Sequence, residues 1–275
     1  MKLQDRRKII DGLVDTFLKA GEISLELRKK GLIKEIKPDN TPVTNGDIEV
    51  NNILTRKIKD ITPSVTIISE ETSVNKLKEN LKTFWLIDPI DGTSEYIHNK
   101  DEFTLNAALI IDNKPEIGLI NAPAKKRLFY AYSLGSSFEL KNKKEIQLNC
   151  KKLTNQGEVK AVSYSNNLKP EILELHKKFK VTEYKKMKSS IKFCVVATGE
   201  YDLYVAEPRA SEWDIAAADA VLRSNGGGVF QIKNGQPLEY GKKNSILNPM
   251  FIAIDDLNEK RSILSIVDRF SKNLL

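Results

Sequence analysis

The sequence predicts two halves of different texture: an α+β half over residues 1–150 and an α/β half over residues 151–275. Three observations predict this. Two amphipathic helical stripes near the start are followed by short apolar segments with tight turns. Near residue 150 the pattern changes to strands alternating with helices. No internal repeat or linker separates the halves, so they are expected to pack closely with a site between them.

Taken in order, Arg6 to Lys30 reads as a helix. Ile9, Ile10, Leu13, Val14, Phe17 and Leu18 keep a 3.6-residue stripe, and Gly31 stops it. Pro38 to Thr44 reads as a turn-rich loop. A second helix is expected from Asp47 to Asp60, burying Val50, Ile53, Leu54 and Ile58, with Pro63 beyond its end. Val65–Ser69 and Phe84–Ile87 are apolar strands, ending at Glu70-Glu71 and at Asp88. Leu105–Ile111, Glu116–Asn121, Leu128–Ala131 and Ser137–Leu140 form an antiparallel run. In the second half, Lys160–Ser165, Val181–Lys185, Asp202–Ala206, Val229–Ile232 and Met250–Ile254 read as strands. Pro170–Lys178, Ser189–Gly199, Asp214–Ser224 and Leu257–Ser271 read as helices.

Composition excludes several classes. The chain has 275 residues, 40% hydrophobic and 29% charged, the balance of a globular protein. No segment approaches the roughly 18 apolar residues of a membrane helix, and no apolar signal core follows the basic start. A cytoplasmic location is expected, with peripheral attachment to the inner membrane as the alternative. Two cysteines, Cys150 and Cys194, cannot make a disulfide framework or a four-cysteine zinc site. His98 and His176 are the only imidazoles, which argues against histidine-rich zinc sites and Ser-His-Asp chemistry. Catalysis would fall to carboxylates, which favour hard cations such as magnesium.

The net charge is +7, and the whole excess lies between Lys151 and Lys192, where eleven lysines face four glutamates. A solvated surface, steering of an anionic substrate and nucleic-acid binding are the open readings. The stretch lacks the interleaved arginines and aromatics of an RNA-binding module, so a nucleic-acid partner is disfavoured.

One decapeptide, Trp85 to Ser94, concentrates the chemistry. An apolar strand delivers Asp88, Pro89 is expected to turn the chain, and Asp91 follows three residues later. Both carboxylates, with the Ile90 carbonyl between them, can hold one cation or bridge two. Gly92-Thr93-Ser94 then offers successive amides at a helix start, an anion cradle. Taken singly, each piece has an ordinary reading. Asp-Pro-Ile-Asp-Gly is a turn, Glu70-Glu71 a solvated pair 18 residues before Asp88, and Asp214 a helix N-cap. Their order and spacing are not ordinary.

Glu70-Glu71, Asp88-Pro89-Ile90-Asp91-Gly92-Thr93 and Trp213-Asp214 together resemble the signature of the inositol monophosphatase superfamily of lithium-sensitive, magnesium-dependent phosphomonoesterases. Thr41-Pro42-Val43-Thr44 with Asp47, Asp91 to Ile97, Ser189 to Cys194, and Leu247-Asn248-Pro249 resemble its bacterial 3′(2′),5′-bisphosphate nucleotidase branch. The resemblance runs from about Gly12 to Ala253.

It implies a layered αβαβα sandwich and two or three Mg2+ ions. Glu70, Asp88, the Ile90 carbonyl, Asp91 and Asp214 match the metal ligands, the first three holding one ion and Asp88, Asp91 and Asp214 a second. Asp47 and Thr93, with Glu70, match the catalytic set that readies the attacking water. Glu70, Ile90, Asp91, Gly92, Thr93, Ser94 and Asp214 surround the phosphate. Ser189, Ser190 and Lys192 fall where the branch approaches its nucleotide, and Arg209 is placed to meet a second phosphate. The implied partner is a small phosphate ester, a nucleotide bisphosphate, and the implied reaction converts adenosine 3′,5′-bisphosphate to AMP. Monomer and homodimer both remain open.

Two departures stand out. The branch often carries an arginine two residues after the tyrosine of its Leu-Tyr strand, where this chain has Ala206. Ala218 replaces a glycine in the helix after Asp214, with no chemical effect expected. Glu212 sits where inositol phosphatases contact sugar hydroxyls. The alternatives are an inositol or sugar monophosphatase, and a non-enzymatic partner of RNA or the transcription machinery.

Overall fold

The computed structural model describes residues 1–38, 40–72, 81–149, 158–242 and 245–255. The expected helix Leu257–Ser271, Cys150 and the start of the basic stretch lie outside the described residues.

Two helices form the first layer: α1 (Leu3–Lys30), ended by Gly31, and α2 (Asn45–Ile61). Thr44 caps α2 with a capping box, its hydroxyl meeting the Asp47 carboxylate at 2.6 Å. The second layer is a seven-stranded sheet in sequential order: β3 (Thr66–Ser69), β4 (Thr83–Asp91), β5 (Thr104–Ile111), β6 (Lys114–Ala122), β7 (Arg127–Ser133), β8 (Ser136–Lys141) and β9 (Lys144–Gln147). Only β3 and β4 pair in parallel. The third layer holds α5 (Ile191–Ala197) and α6 (Glu212–Ser224). The fourth is a five-stranded sheet ordered β11 (Val181–Lys186), β10 (Val159–Ser163), β12 (Leu203–Ala206), β14 (Phe251–Ile254), β13 (Gly228–Gln231). Helix α4 (Pro170–Lys178) closes the fifth layer. The implied αβαβα order is therefore observed.

Alternation along the strands builds the layers. On β4, Trp85 and Ile87 enter the core shared with α1 and α2, while Phe84 and Leu86 enter the core shared with α5 and α6. On β12, Tyr204 and Ala206 face that second core, and Leu203 and Val205 face α4. Central strands buried on both faces read as continuous apolar runs for this reason.

The structure corrects four expectations. The segment before α2 is not a plain loop: β1 (Lys34–Ile36) pairs with β2 (Pro42–Thr44), and Lys37 between them reaches Glu70 and Glu71. Pro89 does not turn the chain. Strand β4 continues to Asp91 through a bulge, with Asp88 opposite Asn106 and Asp91 opposite Thr104. An exposed strand, β9, was not signalled, because Lys144 to Gln147 lacks an apolar face. The helix expected from Ser189 to Gly199 is confined to Ile191–Ala197.

Helix α6 lies against β6 so closely that Gly118 has no room for a Cβ. An added methyl would sit 2.3 Å from the Ala217 carbonyl oxygen and 2.8 Å from the Ala220 Cβ. Gly118→Ala should destabilise the fold by about 2–3 kcal/mol and shift α6, which carries Asp214. An unchanged urea midpoint would contradict this.

Candidate active site

The cleft opens between the two sheets, with a cavity of about 320 Å³. Its walls include Thr41, Glu70, Asp91 to Glu95, Lys188 to Ser190, Lys192, Arg209 and Asp214. Residues about 140 apart in sequence converge because β4 and the N-terminus of α6 end at the same place.

Asp88 is buried and its Oδ1 has no hydrogen-bond partner. Burial, with Glu70, Asp91 and Asp214 nearby, pushes its carboxyl well above the usual aspartate range. Burial, with Asp91 and Glu70 nearby, pushes Asp214 up to about 8. Glu70 is also raised by burial, against the pull of Lys37. Asp214 is not the N-cap of its ordinary reading: Ser211 holds that position, and Asp214 is the third residue of α6, closing a capping box in which its Oδ2 accepts from the Ser211 amide at 2.8 Å.

Asp91 is held from behind. Its Oδ2 meets the Ser190 hydroxyl at 2.8 Å, and that oxygen also accepts from Asn106 Nδ2 at 3.0 Å. Ser190 further contacts the Asp214 carbonyl at 2.5 Å. The Ser190 side chain is thus occupied with the Asp91 carboxylate and the Asp214 backbone carbonyl, both of residues expected to be ligands. Ser190→Ala should strand the buried Asn106 amide and weaken activation by magnesium about 10–100-fold, measured as the Mg2+ concentration for half-maximal rate.

Thr93 and Asp47 are in reach of each other. Thr93 Oγ1 lies 3.3 Å from Asp47 Oδ1 and 3.1 Å from the Ile90 carbonyl oxygen. Burial raises the Asp47 carboxyl, and its other oxygen accepts from the Thr44 amide at 2.8 Å. Ile90 buries its side chain beside α1 and α2. Gly92 takes φ +92, and a Cβ there would meet the Glu102 carbonyl oxygen at 3.0 Å. That turn starts the short helix α3 (Thr93–Ile97), whose first amides have no acceptor within it.

The opposite wall is cationic. Lys192 is buried, which pushes its ammonium down to about 8, and its Nζ sits 5.3 Å from the Tyr204 ring centroid. Lys188, Lys192 and Arg209 form no ion pair with a carboxylate among the described residues. Ser189, at φ +54, stands where the cationic wall meets Gly92.

Lys188, which lines the cleft, and Lys37 were not among the site residues expected from sequence. The Lys37 ammonium lies 3.3 Å from Glu70 and 2.8 Å from Glu71. A lysine in a loop 33 residues upstream gave no signal, since only the β1–β2 hairpin carries it there. Glu212 does not line the cleft. Its carboxylate accepts from the Gly241 amide at 2.6 Å and the Lys242 amide at 3.1 Å. Both histidines lie off the carboxylate cluster, His98 exposed and His176 packed against Tyr184 in the outer layer.

The donor set suits a hard divalent cation: clustered carboxylates, an orphaned buried oxygen on Asp88, and a carbonyl on the same bulge. Among the described residues no three of these side chains yet converge as a closed cage. Lys37 donates to Glu70 and the Ser190 hydroxyl to Asp91.

Comparison with known proteins reaches the same region. The model of the inositol monophosphatase family matches residues 5–266. The 3′(2′),5′-bisphosphate nucleotidase CysQ of Buchnera aphidicola is 35% identical over 255 residues, covering 90% of this chain and 94% of its own. The protein of that name from Haemophilus influenzae is 32% identical over 241 residues, covering 86% and 89%. The crystal structure of CysQ from Bacteroides thetaiotaomicron has a TM-score of 0.74 at 30% identity, over 91% of this chain and 98% of that one. With the sandwich and the carboxylate-lined cleft, these matches establish that the chain belongs to the inositol monophosphatase family.

Proposed function

We propose that this protein is a magnesium-dependent phosphomonoesterase that removes the 3′-phosphate of adenosine 3′,5′-bisphosphate, releasing AMP and phosphate. The observation that carries the reading is the polarity of the cleft. Carboxylates for cations line it, and so do Lys188, Lys192 and Arg209, which form no ion pair with a carboxylate among the described residues. A monophosphate needs only the carboxylate set, whereas a bisphosphate uses both sets. The nucleotidase relatives support the same substrate class.

In this reading Glu70, Asp88, Asp91, Asp214 and the Ile90 carbonyl hold magnesium, which supplies when bound a Lewis acid and an activated water. The amides of the Gly92–Ser94 turn bind the phosphoryl oxygens. Thr93 accepts a proton from the attacking water while its own hydroxyl hydrogen passes to Asp47 Oδ1. The raised Asp47 carboxyl makes the better base. Lys192 and Arg209 orient the second phosphate. Residues 1–150 thus supply most metal ligands and the phosphate turn, and residues 151–275 supply Asp214 and the contacts to the second phosphate.

The test is phosphate release with magnesium at equal low concentrations of adenosine 3′,5′-bisphosphate, inositol 1-phosphate and fructose 1,6-bisphosphate. A preference of about a hundredfold for the nucleotide is expected, roughly 2.7 kcal/mol in transition-state binding. A flat profile would move the protein to the inositol or sugar phosphatases. No release, with RNA binding that survives Asp88→Ala, would make it a binding protein. Inhibition by millimolar lithium is expected from the resemblance.

A further inference from the structure

Arg209 sits five residues beyond Tyr204, on the loop that follows β12, and not on the strand itself. A loop arginine grips an anion well only if its long side chain is already held, since otherwise binding must first freeze it. We propose that Tyr164, braced by Glu207, is the positioning residue that holds Arg209 as the clamp for the second phosphate. The inference rests on the bisphosphate reading of the cleft.

The geometry supports each link. Arg209 Cζ lies 4.5 Å from the centroid of the Tyr164 ring, within the range of a cation–π contact. The Tyr164 hydroxyl donates to Glu207 Oε1 at 2.7 Å. Glu207 is buried, Lys169 Nζ lies 3.6 Å from the same oxygen, and Oε2 has no partner. Topology brings the three together: Tyr164 directly follows β10, Glu207 and Arg209 follow β12, and these strands are parallel neighbours. Residues beyond the carboxyl ends of parallel strands share one crevice.

The arrangement also solves an electrostatic problem. Glu207, two residues from Arg209, would neutralise it if the two paired. Tyr164 and Lys169 engage the carboxylate instead, and Arg209 forms no ion pair among the described residues. A ring beneath the guanidinium uses its face and leaves its in-plane N–H donors for a phosphate, which Arg can grip with two parallel bonds.

The experiment compares wild type, Arg209→Ala, Tyr164→Ala, Tyr164→Phe and the double variant Tyr164→Ala/Arg209→Ala, all full chain with magnesium. For adenosine 3′,5′-bisphosphate, KM should rise about 30-fold for Arg209→Ala and about tenfold for Tyr164→Ala, more than kcat falls. Tyr164→Phe, which keeps the ring and loses the brace, should raise it about threefold. For adenosine 3′-monophosphate each rise should be at least fivefold smaller. The double variant should match Arg209→Ala within about twofold, because Tyr164 acts through Arg209. Equal effects on both substrates, or a further tenfold loss in the double variant, would overturn the proposal. If Tyr164→Ala does not fold, Tyr164→Phe with and without Arg209→Ala decides by the same rule.

A wild type without preference for the bisphosphate would sink the substrate reading. The strut is then judged by calorimetric affinity for adenosine 5′-monophosphate. Equal, non-additive weakening of about tenfold by Tyr164→Ala and Arg209→Ala upholds it, and unchanged affinity overturns it.

Discussion

Asp91→Asn should lower magnesium-dependent phosphate release by about a thousandfold or more, roughly 4 kcal/mol of transition-state stabilisation. Asparagine keeps an oxygen to accept from Ser190, which now lies 2.8 Å from Asp91 Oδ2. It removes the negative charge that helps raise the carboxyls of Glu70, Asp88 and Asp214 alike. The fold therefore loses no hydrogen bond and sheds repulsion. The metal-free melting temperature should be unchanged or higher. Activity within tenfold of wild type, or a metal-free melting temperature lower by about 5 °C, would refute the assignment of Asp91 as a ligand.

The metal-free protein should lose stability as pH rises through the neutral range, and magnesium should restore it. Asp214 binds a proton up to about pH 8 when folded, against an ordinary value of 3.8, and Asp88 is raised in the same direction. Between those pH values the folded state holds protons that the unfolded chain has released. Stability contributed by the protonated pair is therefore full below about pH 4 and declines toward pH 8. Magnesium competes with these protons, so binding should release them and raise the melting temperature more at pH 8 than at pH 6. Magnesium at a hundred times its dissociation constant adds about 2.7 kcal/mol, which is a shift of roughly 5–10 °C for a chain of this size. Asp214→Asn should flatten the metal-free pH slope. A slope unchanged by that substitution would contradict the account.

Much of this was legible in the sequence, and for identifiable reasons. The Ile9 to Leu18 stripe and the Val50, Leu54, Ile58 face announced α1 and α2, because a helix burying one side must repeat its apolar residues every 3.6 positions. Pro170 marked the first residue of α4. Leu105 to Leu140 announced an antiparallel meander. The carboxylates now lining the cleft, Glu70, Asp91 and Asp214, stood out because each ends a strand or opens a helix, where backbone geometry aims side chains out of the core. The path of the chain at Pro89 was not legible. Proline predicts a turn, yet a bulge accommodates it within a strand, since a bulged residue needs no ladder hydrogen bond.

The sequence by itself determined most helices and strands and the chemical types in the cleft, because periodicity, strand ends and carboxylate spacing are local properties of the chain; the layered order came only through the family resemblance. Only the tertiary structure decided which groups meet. It placed Lys37 on Glu70, Ser190 and Asn106 behind Asp91, and Tyr164 beneath Arg209, and it turned Glu212 away toward Gly241 and Lys242. Those contacts join residues tens of positions apart, and they follow from strand order and packing between layers, which no window of sequence contains.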